Sequence, residues 1–211
     1  MWVHGHNAKL DRPHEFSLER KAGCALIQSP APFQTAYYAE FYQWQTVRNW
    51  VHFEVPTASL CKQVKEEEDK RKTTYGNLQP LSIELVKVHV RFVNPWAKDA
   101  VDADWAMGEI YGIKVWDAET MIWDEQFDWS VKQQTPTGKQ YPYKNNSMIG
   151  YAVTDWTTVT WPDIGRNSKK WGKKLVHFGV GISLDIGLTQ SWSKPGAIWI
   201  SAVGCDFLVD T

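Results

Sequence analysis

"LVHFGVGISLDIGL" (residues 175–188) is the stretch that decides the fold. Apolar side chains occupy every second position from Val176 to Ile186, which is the period of a β-strand with one face in a core. The opposite face carries small and polar residues: His177, Gly179, Gly181, Ser183, Asp185 and Gly187. Glycines inside a strand mark a bend or the close approach of another group. The stretch therefore predicts a core strand whose second face lies against other protein segments or a ligand.

The rest of the chain repeats this two-residue period. It is clear in "NWVHFEVPT" (49–57), "ELVKVHVRFV" (84–93) and "AIWISAVGCDFLVD" (197–210), and residues 109–129 read as a hairpin. The chain has 211 residues, shows no alternation of strands with long helices, and has no repeat of fixed period. We predict a single all-β domain over residues 1–211, an antiparallel β-sandwich or jelly roll with one short helical insertion.

Two segments interrupt the strand pattern. Residues 29–48, "SPAPFQTAYYAEFYQWQTVR", carry aromatic side chains at the spacing of one helix face. We expect this segment either to pack onto the body or to form a lid over a pocket, with Tyr38 and Tyr42 as walls. Residues 61–80 hold the run "KQVKEEEDKRK", which predicts a charged surface excursion, either helical or disordered.

Composition excludes several classes of function. The net charge is −1, which favours neither nucleic acid nor a membrane surface as a partner, and the apolar runs are too short to span a membrane. The N-terminus lacks the pattern of a signal peptide, and the three cysteines are widely spaced. We therefore expect a cytoplasmic protein with free thiols.

Cofactor and metal motifs are missing from the sequence. There is no GxSxG elbow, no Walker loop and no GxGxxG after a strand. His4 and His6 form an HxH pair, but no second cluster at ligand spacing accompanies it. The prediction is that the protein uses no cofactor and no metal.

Tryptophan is over-represented, with 13 residues in the chain, and indoles favour interfaces and ligand cavities. Trp50, His52 and Glu54 share the non-core face of their strand, and they could line one concavity with His177 and Asp185. The alternative is that they are solvated neighbours. The candidate catalytic residues are His52, His177, Ser183 and Asp185, and the candidate substrate-binding residues are Trp50, Glu54, Tyr38, Tyr42, Trp123, Gly179 and Gly181.

Six stretches in a fixed order carry a resemblance to a known family: "WVHG", "NWVHFEVPT", "VHVRF", "GIKVWDAETMIWDEQF", "HFGVGISLDI" and "ISAVGCDF". This order resembles a family of small β-rich proteins of bacteria and fungi known only as a domain of unknown function. The resemblance implies a compact all-β domain and supplies no catalytic residues. In general character the chain is also similar to stand-alone fungal cyclases, including those of the Diels–Alder type.

Three functions remain open from the sequence. The first is a cofactor-independent cyclase or isomerase, which binds a hydrophobic small molecule in an aromatic-lined pocket and works as a monomer or homodimer. The second is a carbohydrate-binding, lectin-like sandwich, which requires a flat, open aromatic platform. The third is a structural protein that self-associates through an edge strand.

Overall fold

The computed structural model describes residues 1–30, 46–76, 81–93, 107–126, 156–161, 174–189 and 195–210. Its strands, in chain order, are β1 (Trp2–His4), β2 (Lys9–Leu10), β3 (Ser17–Lys21), β4 (Cys24–Gln28), β5 (Thr46–Val55), β6 (Ser82–Val93), β7 (Met107–Asp117), β8 (Thr120–Gln126), β9 (Thr157–Trp161), β10 (Leu175–Val176), β11 (Val180–Thr189) and β12 (Ala197–Asp210). One helix, α1 (Ala58–Tyr75), follows β5. The predicted all-β sandwich with a short helical insertion is confirmed.

Two antiparallel sheets form the sandwich. The seven-stranded sheet has the order β10-β6-β12-β4-β3, with β1 added to β12 and β9 added to β6. The five-stranded sheet has the order β2-β5-β11-β7-β8. The strand of the opening stretch, β11, is therefore the central strand of the smaller sheet.

The core lies between the inner faces of the two sheets. Ile182, Leu184 and Ile186 of β11 join one buried cluster with Val90 and Phe92 of β6. Each such side chain contributes about 1.5–3 kcal/mol by leaving water. The apolar positions of the alternating sequence pattern thus form the packing face of each sheet.

The predicted strand 175–188 is divided in two. Residues 177–179 leave the ladder because the carboxylate of Asp117 accepts their backbone N–H groups, at 2.9 Å from His177, 2.8 Å from Phe178 and 3.1 Å from Gly179. Phe178, which the alternation assigns to the core, is 72% exposed. The alternation was wrong at this position because a side chain from β7 replaces the neighbouring strand as hydrogen-bond partner.

The helix forms in the charged segment. Leu60, Cys61 and Val64 are half-buried against the sandwich, while most of the later residues of α1 are exposed and carry i, i+4 ion pairs such as Lys72–Glu68 at 2.5 Å. The aromatic segment predicted to be helical falls largely outside the described residues, since 31–45 are not among them. Among the helices that the structure describes, none combines the length and hydropathy needed to cross a bilayer.

Candidate functional site

The predicted site residues fall in two separate places. The first is the outer face of the five-stranded sheet, where the register sets Ser183 opposite His52, Asp185 opposite Trp50, and Gly181 opposite Glu54. The second is the bend between β10 and β11, which contains His177 and Gly179. We take the two in turn.

Ser183 is the centre of a hydrogen-bonded chain on the outer face. The Trp116 Nε1–H donates to Ser183 Oγ at 2.9 Å, and Ser183 Oγ lies 2.8 Å from His52 Nδ1. The hydroxyl has one proton, and donating it to His52 Nδ1 pairs both groups. Ser183 is only 3% exposed, so it is committed to its protein neighbours and not poised as a nucleophile.

When Ser183 donates its proton to Nδ1, a neutral His52 ring carries its own proton on Nε2. Burial lowers the pKa of the imidazole below its ordinary value, Lys9 lowers it further, and Asp11 opposes both. The Asp11 carboxylate lies 4.0 Å from Nε2. His52 therefore presents a hydrogen-bond donor at its outer edge.

The charged groups on the same face contact other side chains of that face. Arg48 binds Asp185 through two nitrogens, with Nε 3.2 Å from Oδ1, and its guanidinium lies 4.7 Å from the centre of the Tyr111 ring. The Lys114 ammonium lies 4.6 Å from the centre of the Trp50 ring. Because its carboxylate is held by Arg48, Asp185 is a structural ion-pair partner. The hydrogen bonds described for the Asp185 carboxylate join it to Arg48 and to neither candidate histidine.

At one position of the glycine-rich face of β11, a neighbouring protein side chain explains why the residue is glycine. A Cβ on Gly187 would meet the Tyr111 ring at 2.1 Å, so only glycine allows this ring to cover the strand. Gly181 and Gly179 have ordinary neighbours at 3.7 Å (Trp116 Cβ) and 3.6 Å (Thr57 Oγ1). The close-approaching group is therefore a tyrosine of β7, and the predicted ligand floor at Gly179 and Gly181 has no steric requirement for glycine.

Of the predicted substrate-binding residues, two are placed away from any pocket that the structure describes and two fall outside the described residues. Trp123 pairs with Val115 and belongs to the hydrophobic core at 5% exposure, so its assignment to a pocket wall was wrong. Glu54 is exposed and paired with Lys9 at 2.5 Å. Tyr38 and Tyr42 fall outside the described residues.

His177 belongs to a different cluster, formed with Asp117 at the end of β7. Its Nδ1 lies 3.1 Å from Asp117 Oδ2, in addition to the backbone bond that the same carboxylate oxygen accepts. Burial alone would raise the pKa of the Asp117 carboxyl, but the N–H groups of Phe178, Gly179 and His177, together with the His177 ring, lower it. Asp117 is thus an ionised, buried carboxylate that fixes the orientation of an exposed imidazole.

The His177–Asp117 pair lies beside a groove of about 250 Å³ between α1 and strands β6 and β10. His177 lines this groove. The other lining residues are Cys61, Val64, Lys65, Glu68, Asp69, Lys72, Leu81, Ser82, Ile83, Leu175 and Val176. Aliphatic side chains and charged side chains of α1 thus share the lining, which suits a ligand with an apolar body and one polar group.

Cys61 shares the groove but is not an activated thiol. Burial raises its pKa, and the negative charge of Asp117 raises it further. The thiol therefore stays protonated at neutral pH, whereas a nucleophilic cysteine requires a lowered pKa. Of these two groove residues, His177 is better suited to chemistry than Cys61, because an imidazole can accept and donate a proton near neutral pH.

The two candidate histidines do not share a site. Trp116, which reaches His52 through Ser183, and Asp117, which holds His177, are consecutive on β7. Successive side chains of a strand point to opposite faces, so these neighbours serve opposite sides of the sheet. The expectation of one concavity containing both histidines was wrong for this reason.

The residue that orients His177 is Asp117, which the sequence predicts only as part of the hairpin over residues 109–129. Asp at the start of a turn often accepts backbone N–H groups nearby, but these donors are 60 or more positions away. Arg48, Tyr111 and Trp116 were likewise missed, because their contacts arise only from the pairing of β5, β7 and β11.

No metal centre is present among the described residues, where no group of three or more potential ligands comes together. His4 and His6 stack on one another with their ring centres 5.7 Å apart. Searches against family models, curated proteins and solved structures found no match.

Proposed function

We propose that the protein is a cofactor-independent isomerase or cyclase whose active site is the groove beside His177. The observation that carries this proposal is that His177, which lines the groove, is oriented by the buried carboxylate of Asp117. A carboxylate that accepts the Nδ1–H of an imidazole leaves Nε2 as the basic nitrogen, and it stabilises the imidazolium formed when Nε2 takes a proton.

The proposed chemistry is a proton transfer within one substrate molecule. His177 Nε2 removes a proton from a carbon next to a carbonyl group, and the electron pair moves to the carbonyl oxygen. The imidazolium then returns the proton at another carbon of the conjugated enolate, which shifts a double bond. Alternatively, the carbanion adds to a second carbonyl carbon of the same molecule, the π electron pair of that carbonyl moves to its oxygen, and the imidazolium protonates this oxygen as the ring closes. Atoms and charge balance in both cases without a cofactor.

The lining of the groove supports the other requirements of this reaction. Val64, Ile83 and Val176 supply an apolar floor that holds a flexible hydrophobic substrate in one conformer, which removes much of the entropy barrier. Lys65, which lines the groove from α1, would stabilise negative charge on the carbonyl oxygen. The floor is aliphatic in these residues, whereas the sequence predicted an aromatic lining.

Partner and location form part of the same proposal. We infer a hydrophobic small molecule as the partner, with neither nucleic acid nor membrane, and a cytoplasmic protein that works as a monomer or homodimer. The family resemblance noted from the sequence is compatible with this and contributes only the compact β-rich domain.

The test uses a property common to isomerisation and cyclisation, which is that the product has the mass of the substrate. Polyene and polycyclic metabolites that change the tryptophan fluorescence are incubated with the protein, and liquid chromatography with mass detection follows new species of unchanged mass. We expect His177→Gln to lower the rate by about 10²–10⁴-fold, the usual contribution of a positioned acid–base group. Asp117→Asn should lower it as well.

His52→Gln is the matched control, because it changes the half-buried histidine on the outer face of the five-stranded sheet and leaves the groove intact. It should keep most of the activity, and thermal unfolding shows whether each variant is folded. The proposal fails if no binder is converted, or if the folded His177→Gln variant retains the wild-type rate.

A further inference from the structure

The outer face of the seven-stranded sheet presents exposed indoles that the groove does not involve. Trp2 is 49% exposed and Trp156 is 41% exposed. Pairing of β1 with β12, β12 with β6 and β6 with β9 sets Trp2, Gly204, His89 and Thr160 in one row across four strands. An exposed indole in a row with polar side chains is typical of an interaction surface.

Contacts between side chains hold the residues of the first row in place. The Trp2 ring stacks on His89 with ring centres 5.1 Å apart and planes inclined by 24°. His89 Nδ1 lies 2.9 Å from Thr160 Oγ1, and its Nε2 lies 3.1 Å from Asp206 Oδ2. A Cβ on Gly204 would meet Trp2 Cδ2 at 2.7 Å, so glycine is what allows the indole to lie against the backbone here.

A second row runs beside the first, two residues along the strands and therefore about 7 Å away. Arg91 lies in this row, opposite Ala202 on β12 and Thr158 on β9. Its guanidinium lies 5.2 Å from the centre of the Trp156 ring, and its Nη1 donates to Ser201 Oγ at 3.5 Å. The first row thus contains the Trp2 indole, and the Trp156 indole lies beside the second row at Arg91. Both indoles have neighbours that can donate and accept hydrogen bonds.

We propose that this face binds a neutral oligosaccharide. The apolar C–H face of a sugar ring stacks on an exposed indole, and its hydroxyl groups pair with neutral and charged polar groups alongside, here Asp206, Thr160, Ser201 and Arg91. On this face Asp206 lies opposite Lys87, which places a carboxylate beside a cation and favours a neutral ligand over the anionic backbone of nucleic acid. The pairing of indoles with polar groups in successive rows fits a chain of sugar units.

The experiment is a calorimetric titration with cellohexaose, xylohexaose, mannohexaose, maltohexaose and chitohexaose, alongside tryptophan fluorescence. We expect saturable binding of at least one of these sugars. Trp156→Ala and Trp2→Ala should each weaken it about ten-fold, as loss of a central aromatic contact does. Trp50→Phe, on the five-stranded sheet, is the matched control and should leave the affinity within about two-fold.

Because Trp2→Ala also removes a packing contact, Asp206→Asn serves as a second variant at an exposed position. It should keep the fold and still weaken binding. The proposal is overturned if none of the five sugars binds, or if a sugar binds equally well to the Trp2, Trp156 and Asp206 variants. A dimer on gel filtration that Trp156→Ala dissolves, without sugar binding, would instead assign the face to self-association.

Discussion

At the scale of single residues, Asp117 connects the fold to the proposed chemistry. One carboxylate accepts three backbone N–H groups and the His177 ring nitrogen, so it both ends the β10 ladder and orients the imidazole. The sequence shows Asp117 as a turn residue and His177 as a strand residue, and nothing in their local spacing connects them. This contact could not be predicted because it depends on the packing of segments 60 residues apart.

Asp117 also predicts a specific dependence of stability on pH. Its pKa in the folded protein lies below the ordinary value, so it contributes stability that is complete above the unfolded pKa of about 3.9 and is lost as the pH falls through the folded pKa. Urea unfolding should show that Asp117→Ala lowers the free energy of unfolding at pH 7 by about 3 kcal/mol, since three charged hydrogen bonds to backbone N–H groups are lost together.

The same variant should lose less stability than the wild type when the pH is lowered from 5 to 2. Glu119→Ala, two positions along the same turn and exposed, is the control and should behave like the wild type. An Asp117→Ala protein with the wild-type free energy of unfolding at pH 7 would contradict the role given to this carboxylate.

At the scale of elements, the alternation of apolar and polar residues predicted the strands well. It did not predict which groups cover each strand face. The core face of β11 follows the predicted positions, since Ile182, Leu184 and Ile186 are all buried. Its other face is also buried at Ser183 and Asp185, because side chains of β5 and β7 lie over it. The sequence showed that this face was unusual but could not show that its partners were protein side chains.

Two glycines of β11 give a matched test of this covering. Gly187→Ala should lower the free energy of unfolding by about 1–3 kcal/mol, because the new methyl group overlaps the Tyr111 ring. Gly181→Ala places its methyl group 3.7 Å from Trp116 and should be neutral or slightly stabilising. Chemical unfolding of both variants measures the difference, and equal effects would show that Tyr111 does not cover the strand at Gly187.

At the scale of the whole molecule, the sandwich keeps three chemical environments apart. The outer face of the five-stranded sheet is a network of paired groups, the groove by α1 holds an oriented imidazole, and the outer face of the seven-stranded sheet carries exposed indoles. The sandwich class was predictable from alternation and turn signals. The separation of His52 from His177 was not predictable, because it depends on the opposite faces of β7 that Trp116 and Asp117 occupy.

The central claim is that Asp117 fixes His177 with its proton on Nδ1 and its lone pair on Nε2. The ¹⁵N chemical shifts of the His177 ring, measured by NMR at pH 8 in the protein without substrate, test this directly. We expect a protonated Nδ1 and an unprotonated Nε2 in the wild type, and a return toward the usual Nε2–H form in Asp117→Asn. A wild-type ring that is protonated on Nε2, or that exchanges freely between the two forms, would contradict the claim and remove the base from the proposed reaction.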